Sequence, residues 1–128
     1  MSSTRIRGYH TDAYGHVNNA RYLEFLEEAR WSFFEQSRLP LSDGLQLVVA
    51  EIHIRYRRAA TVGDTLAVTC RVQSWETRRI VLQQTAKLGN GKTAVEAEIV
   101  LIPVQNGKSC TLPEALQTAL AEHCAKAV

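Results

Sequence analysis

The run Asp12-Ala13-Tyr14-Gly15-His16-Val17-Asn18-Asn19-Ala20-Arg21-Tyr22 sets a carboxylate, a turn glycine and a histidine just ahead of a strongly helical stretch. A helix start presents unpaired backbone N–H groups and the positive end of the helix dipole. A carboxylate beside such donors is equipped to hydrolyse an acyl group: the carboxylate attacks the carbonyl or activates water, and the N–H groups hold the oxyanion. The same helix end favours the ionised form of Asp12. On spacing alone Asp12 also fits a loop or capping aspartate, and Asn18 and Asn19 fit helix caps. His16 reads either as a group that positions substrate or Asp12, or as a histidine hydrogen-bonded within the loop. His10, two residues before Asp12, reads as structural.

The elements that must hold this run follow from periodicity. Arg5 to His10 reads as a first strand, and Asp12 to Asn19 as a loop. From Ala20 to Ser37 the residues Tyr22, Phe25, Leu26, Ala29 and Phe33 recur at spacings of three and four, the stripe of an amphipathic helix. Glu27 and Arg30 are spaced as a solvated pair on that helix, and Leu39-Pro40 ends it. Leu45 to Arg58 reads as a long strand. Leu66, Val68, Cys70 and Val72 alternate with polar or small residues as a second strand after the Gly63-Asp64 turn. Arg78 to Leu88 is a third strand, Gly89-Asn90-Gly91 a hairpin turn, and Thr93 to Val104 a fourth. A last helix begins at Leu112-Pro113-Glu114, with Thr111 as its cap, and runs toward Lys126. Short connections make the strands antiparallel. The expected architecture is α+β, a five-stranded antiparallel sheet wrapped around the long helix, with a C-terminal helix added: the hotdog plan.

A chain of 128 residues fits a single domain over residues 1–128. The net charge of +2 is too mild for a nucleic-acid partner, though it leaves room for a local basic site. The three cysteines, Cys70, Cys110 and Cys124, are odd in number and match no common metal spacing, so free thiols in a reducing, cytoplasmic setting are expected, with no metal. No signal peptide or membrane span is read in the sequence.

With Asp12-xx-Gly15-His16-Val17-Asn18-Asn19-xx-Tyr22 ahead of the helix, the sequence resembles the hotdog-fold thioesterases of the 4-hydroxybenzoyl-CoA thioesterase-like family. Arg7 to Trp31 looks especially like bacterial long-chain acyl-CoA thioesterases, and Ile54-Arg55-Tyr56-Arg57-Arg58-Ala59 and Gly63-Asp64-Thr65-Leu66 also fit that group. The resemblance implies a homodimer or homotetramer with active sites at the subunit interface. It places the family's catalytic aspartate on Asp12 and its oxyanion-binding backbone N–H on or next to Asn19. His16 matches a common motif position. Arg57, Arg58, Arg78 and Arg79 are the candidates for the phosphates of CoA, since Arg binds phosphate through paired donors. Tyr22 belongs to the core stripe, and in this architecture that stripe can also line the acyl tunnel.

The implied reaction is hydrolysis of a medium- to long-chain fatty acyl-CoA to the free acid and CoA, with no cofactor. The thiol of CoA resembles that of cysteine, with a pKa of about 8.5, so the thiolate leaves with little acid help. One carboxylate and one oxyanion site then suffice. Two other readings of the same fold are an enoyl-CoA hydratase or dehydratase, which needs a catalytic His paired with an acid, and a non-catalytic acyl-CoA-binding module, which does not need Asp12.

Overall fold

The computed structural model describes residues 2–127. In chain order its elements are β1 (Ser2–Arg5), α1 (Asn19–Ser37), β2 (Leu45–Tyr56), β3 (Thr65–Glu76), β4 (Arg79–Leu88), β5 (Thr93–Gln105), β6 (Lys108–Ser109) and α2 (Glu114–His123), with a 3-10 turn at Gly8–His10. The strands form one antiparallel sheet in the order β1-β3-β4-β5-β2, with the two-residue β6 added beside β5. Register shifts between Val49 and Glu51 and between Val72 and Ser74 mark bulges, which bend and twist a strand. The curled sheet around α1 is the expected α+β hotdog architecture. Phe25, Leu26 and Ala29 of α1 share one buried cluster with Leu66 and Val68 of β3, Ile80 and Leu82 of β4, and Ile99 and Leu101 of β5. Leu116 and Leu120 of α2 are fully buried in the same cluster.

The N-terminal strand lies earlier than expected, at Ser2–Arg5 rather than Arg5–His10. Its neighbours are Thr65 to Val68 of β3, and the chain then turns at Gly8–His10 because Arg7 and His10 bond each other at short range. The long strand expected over Leu45–Arg58 stops at Tyr56, where the Arg57 and Arg58 amides both donate to the Ala94 carbonyl. α1 ends through Arg38 in a left-handed conformation, φ 57°, one residue before Leu39-Pro40. Thr111 does not cap α2; Pro113 occupies that position and the helix starts at Glu114.

Arg30 departs from the solvated pair that its spacing from Glu27 suggested. It is buried, and its Nη1 donates to Gln84 Oε1 at 3.1 Å. Gln84, fully buried on β4, in turn donates from Nε2 to the Leu26 carbonyl at 2.9 Å. This polar stitch fixes α1 in depth and rotation against the sheet. Hydrogen bonds of this kind in a low-dielectric interior specify one arrangement because leaving either group unpaired is costly.

Candidate active site

Residues 10–18 fold into a narrow ribbon. The Asn18 amide donates to the His10 carbonyl at 2.8 Å, Thr11 faces Val17 in an antiparallel bridge, and the Asp12 amide donates to the His16 carbonyl at 2.8 Å. Gly15, at φ 76°, makes the turn that closes the ribbon, a backbone conformation that other residues adopt at a cost. Asp12 Oδ1 accepts from the Tyr14 amide at 2.8 Å and the His16 amide at 3.3 Å, so the carboxylate is held by its own loop. Among the described residues no donor reaches Oδ2. The ribbon docks on the chain beyond β2: the Val17 amide donates to the Ala60 carbonyl at 2.9 Å, and His16 bridges Thr61. Asp64 Oδ2 fixes that support by accepting from the Thr61 amide at 2.8 Å.

The far arm of the ribbon runs straight into α1. Asn18 is the N-cap, with its Oδ1 accepting from the Ala20 amide at 2.9 Å. Its carbonyl accepts from the Arg21 amide at 2.9 Å. Between them the Asn19 N–H finds no acceptor among the described residues, which makes it an orphan donor of the helix start. Asp12, His16, Asn18 and Asn19 are all exposed in the chain.

Tyr22 is buried in the core, and its Oη accepts from the Ala60 amide at 3.3 Å. Its pKa is raised above the ordinary tyrosine value, chiefly by burial, so it works as a neutral clamp on the strip that supports the ribbon. Tyr56 is a residue that sequence reasoning passed over. Its Oη donates to the Asn19 carbonyl at 3.2 Å, and its ring lies 5.6 Å from that of Tyr22. The available signal was the position of an aromatic hydroxyl at the end of a strand, two residues after Ile54. His10 is buried against Phe25, with its Nδ1 accepting from the Arg7 amide at 2.8 Å. Burial, with the Arg21 charge second, lowers its pKa and keeps the ring neutral at pH 7. Burial pushes the Cys70 thiol up to about 12, so it supplies no thiolate at neutral pH.

The four arginines divide between the ends of the sheet. Arg57 and Arg58 follow β2 at the end that carries Ala60, Thr61 and the ribbon, and with Lys92 and Thr93 they border one open pocket. Arg57 is partly committed to Glu96, at 3.1 Å. Arg78 and Arg79 sit at the β3–β4 turn, at the opposite end, and Arg78 donates to Ser109 Oγ at 3.2 Å. Ten residues of β4 separate the two ends, about 30 Å at roughly 3.3 Å per residue. Within one chain, therefore, Arg57 and Arg58 lie at the same end of the sheet as Asp12, His16, Asn19 and Tyr22, and Arg78 and Arg79 lie at the other. A separate groove of about 420 Å³ runs between the later half of α1 and β2, lined by Arg30, Trp31, Phe34, Leu45, Leu47 and Val49 among others. Among the described residues no His, Cys, Asp and Glu side chains cluster to hold a metal ion, and no helix is long and apolar enough to cross a membrane.

A family model described as thioesterase-like superfamily matches residues 6–120. The long-chain acyl-CoA thioesterase FadM of Escherichia coli strain K12 is 39% identical over 126 residues, covering 94% of this chain and 96% of that protein. Among solved structures, Escherichia coli YbaW, described as a probable thioesterase, superposes with a TM-score of 0.81 at 35% identity, covering 95% of this chain and 96% of its own. A thioesterase from Thermus thermophilus, complexed with coenzyme A and Zn, does so with a TM-score of 0.84 at 25% identity, covering 99% and 95%. With a family match over most of its length and a hotdog sheet carrying an acid loop before the central helix, the chain belongs to the thioesterase-like superfamily and is a thioester hydrolase.

Proposed function

We propose that the protein hydrolyses medium- to long-chain fatty acyl-CoA to the free acid and CoA, with Asp12 as general base or nucleophile and the Asn19 N–H as oxyanion donor. One observation carries the reading. Asp12 Oδ2 and the Asn19 N–H, an acceptor and a donor at the two ends of one short segment, have no partner among the described residues, while the neighbouring amides of Tyr14, His16, Ala20 and Arg21 are paired. A thioester carbonyl with its oxygen on Asn19 N–H presents its carbon to water or to the carboxylate. Removing one such donor typically costs about 2.7–4 kcal/mol of transition-state stabilisation. The carboxylate then acts either by taking a proton from attacking water or by attacking directly to form an anhydride, which water then hydrolyses to release the acid and restore the carboxylate. Either route expels CoA as its thiolate. His16, whose ring makes no hydrogen bond among the described residues, stands beside this centre as a substrate-positioning group.

The rest of the substrate is assigned by charge and by apolar surface. Arg57 and Arg58, at the ribbon's end of the sheet, suit the phosphates of CoA. The groove along α1 suits an acyl chain. Arg30, on its wall, is eleven residues past Asn19, about 16 Å along the helix axis, a reach that favours long over short acyl groups. FadM, a long-chain acyl-CoA thioesterase by name, supports the same substrate class. Three free thiols fit a cytoplasmic setting.

Among the described residues β2 is an edge strand of twelve residues whose outer side has no partner, and Val48, Val49 and Tyr56 on it are exposed, with Trp31 nearby on α1. Such an edge is ordinarily covered. In our reading two copies pair through β2 in a homodimer, two of which can form a tetramer. In that pairing the two-fold axis runs perpendicular to the strands, which sets the two β2 strands antiparallel. That brings the partner's Arg78 and Arg79 to the end of the assembly where Asp12 lies, and closes the active site at the interface.

The deciding assay measures CoA release from an acyl-CoA chain-length panel with a thiol-detecting reagent, for wild type and Asp12→Asn. Wild type is expected to be fastest on medium to long chains, and Asp12→Asn to lose about 10²–10⁴-fold in kcat. Absence of CoA release from every member overturns the reading. Full activity of Asp12→Asn keeps the hydrolase and removes Asp12 from its mechanism. Enoyl-CoA hydration followed in parallel tests the hydratase alternative.

A further inference from the structure

His10 plays no part in the chemistry just described, yet it touches both arms of the site. Its carbonyl accepts from the Asn18 amide at 2.8 Å, the bond nearest the helix start in the ribbon. Its amide donates to the Arg7 carbonyl at 3.0 Å, and its Nδ1 accepts from the Arg7 amide at 2.8 Å. The Arg7–His10 turn is therefore closed in both directions, in the manner of a capping box. Its ring lies edge-on to Phe25 of α1 at 5.2 Å and against Tyr9 at 4.2 Å. Thr11 and Asp12 follow directly. A single residue is thus bonded to the strand-side turn, packed on the helix and tied to the helix cap.

We propose that His10 is a positioning residue for this hydrolase: its ring nitrogen and its carbonyl together fix Asp12 relative to the first turn of α1, and proton uptake at Nδ1 releases that arrangement. This rests on the reading of Asp12 and Asn19 given above. With Nδ1 as acceptor, the neutral ring carries its proton on Nε2. A proton added at Nδ1 turns the acceptor into a donor that faces another donor, the Arg7 N–H, and the turn loses one of its two closing bonds. The charged and titratable groups facing the ring are Arg7 and Tyr9 in its own turn and Arg21 and Glu24 on α1; the two arginines oppose its protonation and Glu24 favours it. The consequence falls on kcat rather than on KM. The nucleotide and acyl chain bind elsewhere, whereas small displacements of reacting groups are costly to rate.

The test compares wild type, His10→Ala and His10→Gln by acyl-CoA hydrolysis between about pH 5 and 8, alongside thermal melting. Glutamine at this position of a capping box accepts the same amide bond but does not titrate. We expect His10→Ala to lose about ten- to a hundredfold in kcat with KM within about twofold, and His10→Gln to recover most of it. We expect the wild-type acid limb to shift to lower pH in His10→Gln. A folded His10→Ala with wild-type kcat overturns the proposal, as does a folded His10→Gln no faster than His10→Ala. An acid limb identical in wild type and His10→Gln overturns the proton-release part, and this comparison stands even where His10→Ala does not fold. Failure of the underlying reading shows differently, as full activity of Asp12→Asn.

Discussion

The Tyr56 hydroxyl donates to the carbonyl of Asn19 at 3.2 Å, so the last residue of β2 holds the first residue of α1. The contact ties the residue of the orphan Asn19 donor to the sheet edge that the proposed dimer covers. Tyr56→Phe keeps the ring against Tyr22 and deletes this bond. It is expected to change stability by no more than about 1 kcal/mol, since the residue is half exposed. Acyl-CoA hydrolysis is expected to slow about two- to fivefold in kcat, the equivalent of roughly 0.5–1 kcal/mol, with KM unchanged. Steady-state kinetics on a single long-chain substrate checks it; an unchanged kcat removes Tyr56 from the positioning of Asn19.

Gln84 holds α1 to the sheet from inside the core. Gln84→Leu leaves Arg30 buried without its acceptor and the Leu26 carbonyl without its second donor. Urea denaturation is expected to show a loss of about 2–3 kcal/mol, read as a lower midpoint at constant slope. Arg30→Leu combined with Gln84→Leu is expected to regain part of that loss, because the unpaired buried charge is gone. A double variant no more stable than Gln84→Leu contradicts the assignment.

Stability is expected to depend on pH through His10. Burial holds its folded pKa below the ordinary value of 6.5. As pH falls through 6.5 the unfolded chain takes up the proton first, so it binds more protons than the folded chain. The contribution of the neutral ring is therefore complete above about pH 6.5 and is lost as pH drops toward the folded value. Melting near pH 7.5 and near pH 5.5 is expected to show a larger fall for wild type than for His10→Gln. Equal falls in the two proteins would assign the acid sensitivity to other groups.

The sequence by itself determined the element types and their order, for reasons visible in particular residues. Tyr22, Phe25, Leu26 and Ala29 recur at helical spacing and are buried, and Asn18 caps α1 by the side-chain chemistry its type implies. Leu66, Val68 and Val72 alternate as a strand with one face inward and are buried in β3. The run from Asp12 to Asn19 reads as a candidate site because an acid, a turn glycine and a helix start are local features. What the tertiary structure decided is everything that depends on partners far along the chain. Arg30 reads as solvated beside Glu27, and it is buried because Gln84, fifty-four residues later, offers an oxygen. Arg5 to His10 reads as strand, and it splits because the Arg7–His10 bonds form a turn while only Ser2–Arg5 finds partners on β3. Arg57 and Arg58 are separated from Arg78 and Arg79 by the length of β4, a distance that no local pattern encodes. Tyr56 gained its contact with Asn19 only when the end of β2 reached the start of α1. Periodicity reports which face of an element is apolar; which polar groups meet across elements is set by topology, and that is where the acid loop acquired its support.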